Sequence, residues 1–219
     1  MTPARSSSTD RALRDAIEQH LDAHGRGVLP IVHAGHPVLR VPAVRYDGQL
    51  GDLLPALLES MRLTMLDAPG VGLAAPQVGI GLALAVIQDP GVGDTDLADV
   101  RERTPVEHRV LVNPDYVGDG AERRAFYEGC LSVPGYQAVV SRHRRVRLTC
   151  TDETGRSIDE VLTGWPARIV QHETDHLRGE LYVDHAQTRS LATNENLARY
   201  WSDTPDPARA AQMMSFPLD

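Results

Sequence analysis

The chain has 219 residues, enough for one large domain or two small ones. Hydrophobic residues make up 42% and charged residues 24%, the balance of a soluble globular protein, and no apolar run approaches the length of a membrane span. A net charge of -8 argues against a nucleic-acid-binding surface spread over the whole molecule, though not against a local basic patch. Two cysteines, Cys130 and Cys150, are too few for a secreted disulfide scaffold, and Thr2 to Asp15 lacks the apolar core of a signal peptide. The expected compartment is a reducing cytoplasm, where a free thiolate persists.

Residues 1 to about 10, with three consecutive serines, read as disordered, and Arg11 to His24 as a short surface helix. Pro30 to Pro42 reads as an extended segment with a turn. Leu50, Leu53, Leu54, Leu57, Leu58, Met61 and Met65 recur at helical spacing, so a helix is predicted over 52–67. Asp52 would cap it, Pro55 is tolerated in its first turn, and Ala68-Pro69-Gly70 stops it. Its Met and Leu stripe reads as core rather than ligand pocket.

Gly70-Val71-Gly72-Leu73-Ala74-Ala75-Pro76-Gln77-Val78-Gly79 then leads into an apolar strand, Leu82 to Ile87. The glycines follow a helix and have the wrong spacing for a dinucleotide fingerprint. The bland reading is a turn. The sharper one is close backbone approach to a ligand, because absent Cβ atoms let another chain lie alongside. Residues 89–108 are polar and read as a surface excursion, and Arg109 to Val112 as a strand ended by Asn113-Pro114.

In Glu128-Gly129-Cys130-Leu131-Ser132-Val133-Pro134 the cysteine is either a small core residue or a thiolate ligand. Cys150 alternates with Val146 and Leu148 and reads as packing. Thr154-Gly155 turns that strand into Ser157 to Leu162, a hairpin. Arg142, His143, Arg144, Arg145 and Arg147 form the basic cluster of the chain, either a solvated strand face or, more weakly, a contact with ribosomal RNA. Glu128 and Arg142 are either an ion pair anchoring the Cys130 loop or two unrelated surface charges. Asp184 to Tyr200 includes a short helix, and Ser202 to Asp219 is Pro-rich and reads as loose. No second domain shows itself.

The stretch that carries chemistry is Gln171-His172-Glu173-Thr174-Asp175-His176-Leu177-Arg178-Gly179. Thr163 as N-cap, Pro166 in the first turn and Gly179 as the stop frame a helix around it. On a helix, positions i and i+4 share a face, so His172 and His176 can reach one metal ion, with Glu173 beside it as a general base. The competing reading is a helix with two exposed histidines and a solvated acid. Apolar Trp165, Ile169 and Val170 argue for burial instead. Two histidines and Cys130 would make a three-ligand site whose open position takes water that ionises near neutral pH. Glu173 would accept its proton and later deliver it to a leaving amine.

Gly70 to Gln77, Glu128 to Ser132 and Gln171 to Leu177 resemble, in order, the three signature motifs of the peptide deformylase family. The resemblance runs from about Ile31 to Thr188, and Gly164-Trp165-Pro166-Ala167-Arg168-Ile169 is similar to the actinobacterial and organellar branch. It implies one α+β domain, with antiparallel and mixed β-sheets surrounding a buried metal-binding helix and the 52–67 helix on the outside. The catalytic domain would span residues 29–190, between an N-terminal extension, 1–28, and a C-terminal tail, 191–219. The extension, the excursion 89–108 and the tail inherit no role.

The implied reaction is hydrolysis of the N-formyl group from the initiator methionine of nascent polypeptides, releasing formate. By position, Cys130, His172 and His176 hold the metal, and water activated there attacks the formyl carbon with Glu173 as acid/base. The Gln77 side-chain amide and the Leu131 backbone N–H stabilise the oxyanion. The Gly70-Val71-Gly72 edge pairs with the peptide as an added strand, and Val71, Ile169 and Trp165 shape an apolar methionine pocket. Arg168 departs from an all-apolar lining. The family metal is natively ferrous iron, replaceable by zinc, nickel or cobalt, and the sequence does not choose among them. The expected partners are nascent formyl-Met chains and, transiently, the ribosome, with no membrane and no specific DNA. Two rivals stay open: a metallopeptidase using His185 as third ligand, and an inactive ribosome-associated binding protein.

Overall fold

The computed structural model describes residues 8–93 and 95–218. The fold is α+β: two antiparallel sheets enclose one central helix. The larger sheet has five strands: β1 (Gly72–Ala74), β2 (Leu84–Asp89), β3 (Val106–Gly118), β6 (Arg145–Thr151) and β7 (Ser157–Thr163), side by side in that order. The smaller sheet has three: β4 (Arg123–Cys130), β5 (Val133–His143) and the two-residue β8 (Ala192–Thr193). Helix α4 (Gly164–Leu177) touches strands of both, which is why its apolar and polar residues alike are buried.

The near-continuous apolar run of β2 follows from burial on both faces. Leu84 and Val86, with Val110 and Val112 of β3, pack under α1 (Ser8–Ala23) and α2 (Leu54–Asp67). Ala85, Ile87 and Leu111 point the other way, against Ile169 and Val170 of α4. A layer of helices, the sheet and α4 therefore stack in that order. No helix among the described residues is long and apolar enough to cross a membrane.

Several sequence expectations change. The first seven residues, read as disordered, lie outside the described residues, and α1 already starts at Ser8. That helix is not merely on the surface, because Ile17 and Leu21 are buried in the main core. The 52–67 helix is not on the outside either: Leu57, Met61 and Met65 are fully covered. Asp52 does not cap it. It sits in a 3-10 turn, Gly51–Leu53, and its carboxylate meets Arg14 at 2.7 Å.

Asn113-Pro114 does not end its strand. Pro114 lacks an N–H, so β3 bulges between Val112 and Asp115 and then resumes pairing with β6. Asn113 takes φ +51° there, and its side chain bonds both ways with the Tyr46 backbone, at 2.7 and 2.8 Å. The excursion 89–108 contains a short helix, α3 (Thr95–Arg101), and the start of β3. A single-turn helix, α5 (Tyr182–His185), precedes β8, and past β8, α6 (Asn194–Tyr200) is followed by α7 (Ala208–Met214). The tail expected to be loose is packed: Ala210, Ala211 and Phe216 cover Tyr127 and Val139 of the smaller sheet.

Candidate active site

Helix α4 ends where the sequence signals placed its end. Gly179 has φ +82°, and a Cβ there would lie 3.0 Å from the Arg40 backbone. Thr163 occupies the N-cap position without a capping bond from its side chain. The i, i+4 spacing sets the His172 and His176 rings 4.9 Å apart on one face. Cys130 reaches them from the last position of β4, where the register with β5 shifts after Gly129. Its Sγ lies 3.3 Å from His176 Nε2. The sulfur also accepts from the Ser132 backbone N–H at 3.4 Å and from Gln77 Nε2 at 3.5 Å. One donor atom each from Cys130, His172 and His176 falls within 4.8 Å of the others.

Behind these three lies a buried charge network. Glu128 accepts from Arg142 at 2.7 and 3.0 Å, and its Oε2 is 3.1 Å from His172 Nδ1. Arg168 also donates to Glu128 and to the Val140 carbonyl, the latter at 3.0 Å. Arg142 reaches Asp175 at 2.6 Å, and Asp175 accepts from the Tyr116 hydroxyl at 2.9 Å. Burial alone would raise Glu128, but the guanidiniums of Arg142 and Arg168 outweigh it and hold the carboxyl well below its usual range. An ionised Glu128 orients His172, leaving Nε2 to face Cys130 and His176. The ion-pair reading of Glu128 and Arg142 is the one observed. Arg142 is therefore no part of a solvated basic face. The other arginines of that cluster are neutralised too: Arg144 by Glu102 and Glu122, Arg145 by Asp119, Arg147 by Asp159.

Glu173 sits against β1. A Cβ on Gly72 would lie 2.6 Å from the Glu173 Cδ, so only glycine lets the carboxyl come this close. Burial raises that carboxyl to about 7, and its Oε2 is buried with no hydrogen-bond partner. Gln77 is fixed by its own turn: Oε1 accepts from the Ala74 N–H at 2.9 Å, which aims the amide NH2 at Cys130.

These groups open into a cavity of about 500 Å³ between β1 and the β4–β5 hairpin. Gly70, Val71, Gly72, Leu131 and Ile169 line it, as do Gln77, Glu173, Cys130 and His172. His176 lies beneath them, 1% exposed. Trp165 and Arg168 also line the wall. His185, by contrast, pairs with Glu180 at 2.9 Å and is not grouped with the two helical histidines, so the metallopeptidase reading loses its third ligand. Reading the sequence missed Arg101, Arg103, Tyr136 and Asn194, which also line the cavity. They come from the excursion, from β5 and from the tail, where no local pattern marks a shared wall.

The sequence profile of the family described as polypeptide deformylase matches residues 28–192. The chain belongs to the polypeptide deformylase family. It is 59% identical over 212 residues to peptide deformylase 3 of Streptomyces avermitilis, covering 96% of this chain and 93% of that protein. Peptide deformylase 1 of Streptomyces coelicolor is also 59% identical, over 88% of each chain. A class I type b peptide deformylase from Acinetobacter baumannii, solved with Met-Ala-Ser bound, superposes with a TM-score of 0.65 at 33% identity, covering 72% of this chain and 98% of that one. The Thermotoga maritima peptide deformylase gives 0.61 at 33% identity, over 73% of this chain and 98% of that one. The deformylase family acts on the N-formyl group of nascent polypeptides, and this chain is such an enzyme.

Deformylases are metalloenzymes, and the donors here fit an ion. A thiol and two imidazoles suit a divalent transition metal rather than calcium or magnesium. The unpartnered Glu173 oxygen in the same cavity adds a polar group with nothing else to serve.

Proposed function

We propose that Cys130, His172 and His176 hold one divalent metal ion and that Glu173 is the acid/base of deformylation. The observation that carries this is the approach of Cys130 Sγ to His176 Nε2 at 3.3 Å beside a buried, unpartnered Glu173 carboxyl. When bound, the ion supplies Lewis-acid chemistry, lowering the pKa of a water molecule toward neutrality. Glu173 takes a proton on its free oxygen and passes it to the departing amine of methionine, a role suited to a carboxyl raised to about 7. The Gln77 amide and the Leu131 N–H donate to the oxyanion that develops on the formyl oxygen.

β1 is an edge strand, paired only with β2 among the described residues. Its open side, with Gly70-Val71-Gly72, takes the extended peptide as a further strand. Main-chain bonding of this kind tolerates many downstream sequences. Val71, Ile169 and Trp165 receive the methionine side chain. Ferrous iron is the native metal in this reading, with zinc, nickel or cobalt able to replace it. The catalytic unit is residues 29–190, flanked by 1–28 and 191–219. The enzyme works in the cytoplasm, meeting formyl-Met chains as they leave the ribosome.

Formate release from formyl-Met-Ala-Ser, set beside casein cleavage, tests the assignment. Formate without casein fragments is expected. Casein cleavage without formate would make the chain a peptidase and overturn it.

A further inference from the structure

Arg101 closes α3, in the segment outside the signature motifs, yet it lines the same cavity as Cys130 and Glu173. Its guanidinium lies 4.8 Å over the Trp165 ring and 5.6 Å from the Phe126 ring. Two further guanidiniums flank Trp165, Arg103 at 5.5 Å and Arg168 at 5.7 Å. Both of those are neutralised. Arg103 grips Asp89 through two bonds, at 2.8 and 2.9 Å, and Arg168 is held by Glu128 and by backbone carbonyls. Arg101 has no such partner among the described residues. No ion pair or hydrogen bond engages it among the described residues, and its buried Nε is unsatisfied.

Three like charges around one indole repel, and among the described residues only Arg103 and Arg168 have counter-ions. Burial and the neighbouring Arg103 and Arg168 pull Arg101 down to about 10, so it is still a cation at neutral pH. No acceptor among the described residues takes up the donors of this guanidinium, and a carboxylate is the group whose geometry matches an arginine fork.

We propose that Arg101 is a carboxylate-binding subsite of the substrate cavity, so that the enzyme favours formylated peptides with an acidic side chain, downstream of the methionine, able to reach the Arg101 guanidinium. This rests on the deformylase reading above. It assigns a specificity role to a residue of the 89–108 excursion and names the substrate class: acidic nascent N-termini.

The test compares kcat/KM for formyl-Met-Asp-Ser with formyl-Met-Asn-Ser, and for formyl-Met-Ala-Asp with formyl-Met-Ala-Asn. Formyl-Met-Ala-Ser is the neutral reference. At one of the two positions the acid is expected to exceed its amide by about tenfold, the size of one charge-assisted hydrogen bond. That ratio should shrink as salt is raised, fall to about one in Arg101→Gln and persist in part in Arg101→Lys. A ratio near or below one at both positions in the unaltered enzyme overturns the proposal, as does a ratio that survives Arg101→Gln. Should Arg101→Gln fail to fold, the unaltered enzyme still decides, since a ratio insensitive to salt is incompatible with an ionic subsite. Release of formate from the neutral peptide alone would remove Arg101 from the account but leave the enzyme a deformylase. No formate from any peptide would remove both.

Discussion

A methyl group at position 72 has nowhere to go. It would meet the Glu173 side chain at 2.8 Å from Cγ and 2.6 Å from Cδ, inside any normal contact. Gly72→Ala should therefore displace the carboxyl without unfolding β1, whose neighbours Leu73 and Ala74 stay packed. A displacement of about 1 Å is expected to lower kcat/KM by about 100-fold with the metal retained. Deformylation kinetics and metal analysis on the same sample check this; wild-type activity would show that Glu173 does not work from this position. Cys150 gives a pH prediction at the same scale. Burial raises its thiol from 9.0 to about 11. The folded state keeps a proton that the unfolded chain gives up, so stability falls as pH rises through that window. The fall in urea midpoint between pH 9 and about 11 should be shallower in Cys150→Ala. Parallel curves would contradict the burial argument.

At the scale of elements, α4 is tied to β4, β5 and β3 through Glu128, Arg142, Asp175 and Tyr116. Cutting one member leaves the others buried and unpaired. Arg142→Ala is expected to cost about 3–5 kcal/mol in urea unfolding. Glu128→Gln, which keeps the shape but loses the charge facing His172 Nδ1, should weaken metal affinity by about 10–100-fold. Stability and metal affinity that are unchanged in both variants would reduce the network to bystanders. This linkage was only partly legible in the sequence. The pairing of His172 with His176 follows from helix geometry alone, and Gly179 and Pro166 bracket that helix by local rules. The junction with Cys130 lies across 46 residues and three strands; the sequence left Cys130 open as core residue or thiolate ligand, and local pattern could not place it beside the two rings. Asp175, placed inside the motif itself, carried no hint that Arg142 and Tyr116 converge on it.

For the whole molecule, one sheet face is covered by α1 and α2 and the other by α4, with the smaller sheet closing over the candidate metal donors. The apolar runs of α2 and β2 announced that core. The tail did not announce itself, because Ala210, Ala211 and Phe216 are scattered among polar and proline residues, and their burial depends on Tyr127 and Val139 far upstream. The strand through Asn113-Pro114 was hidden for a similar reason: the bulge that tolerates the proline depends on Tyr46, a distant partner. What the two sheets and α4 achieve together is the meeting of a thiol with two imidazoles. The optical spectrum of the cobalt-loaded protein tests that meeting most directly. One equivalent of cobalt with a thiolate-to-metal charge-transfer band, lost in Cys130→Ser, is the expected result. One equivalent bound without that band, or a band that survives the substitution, would contradict it.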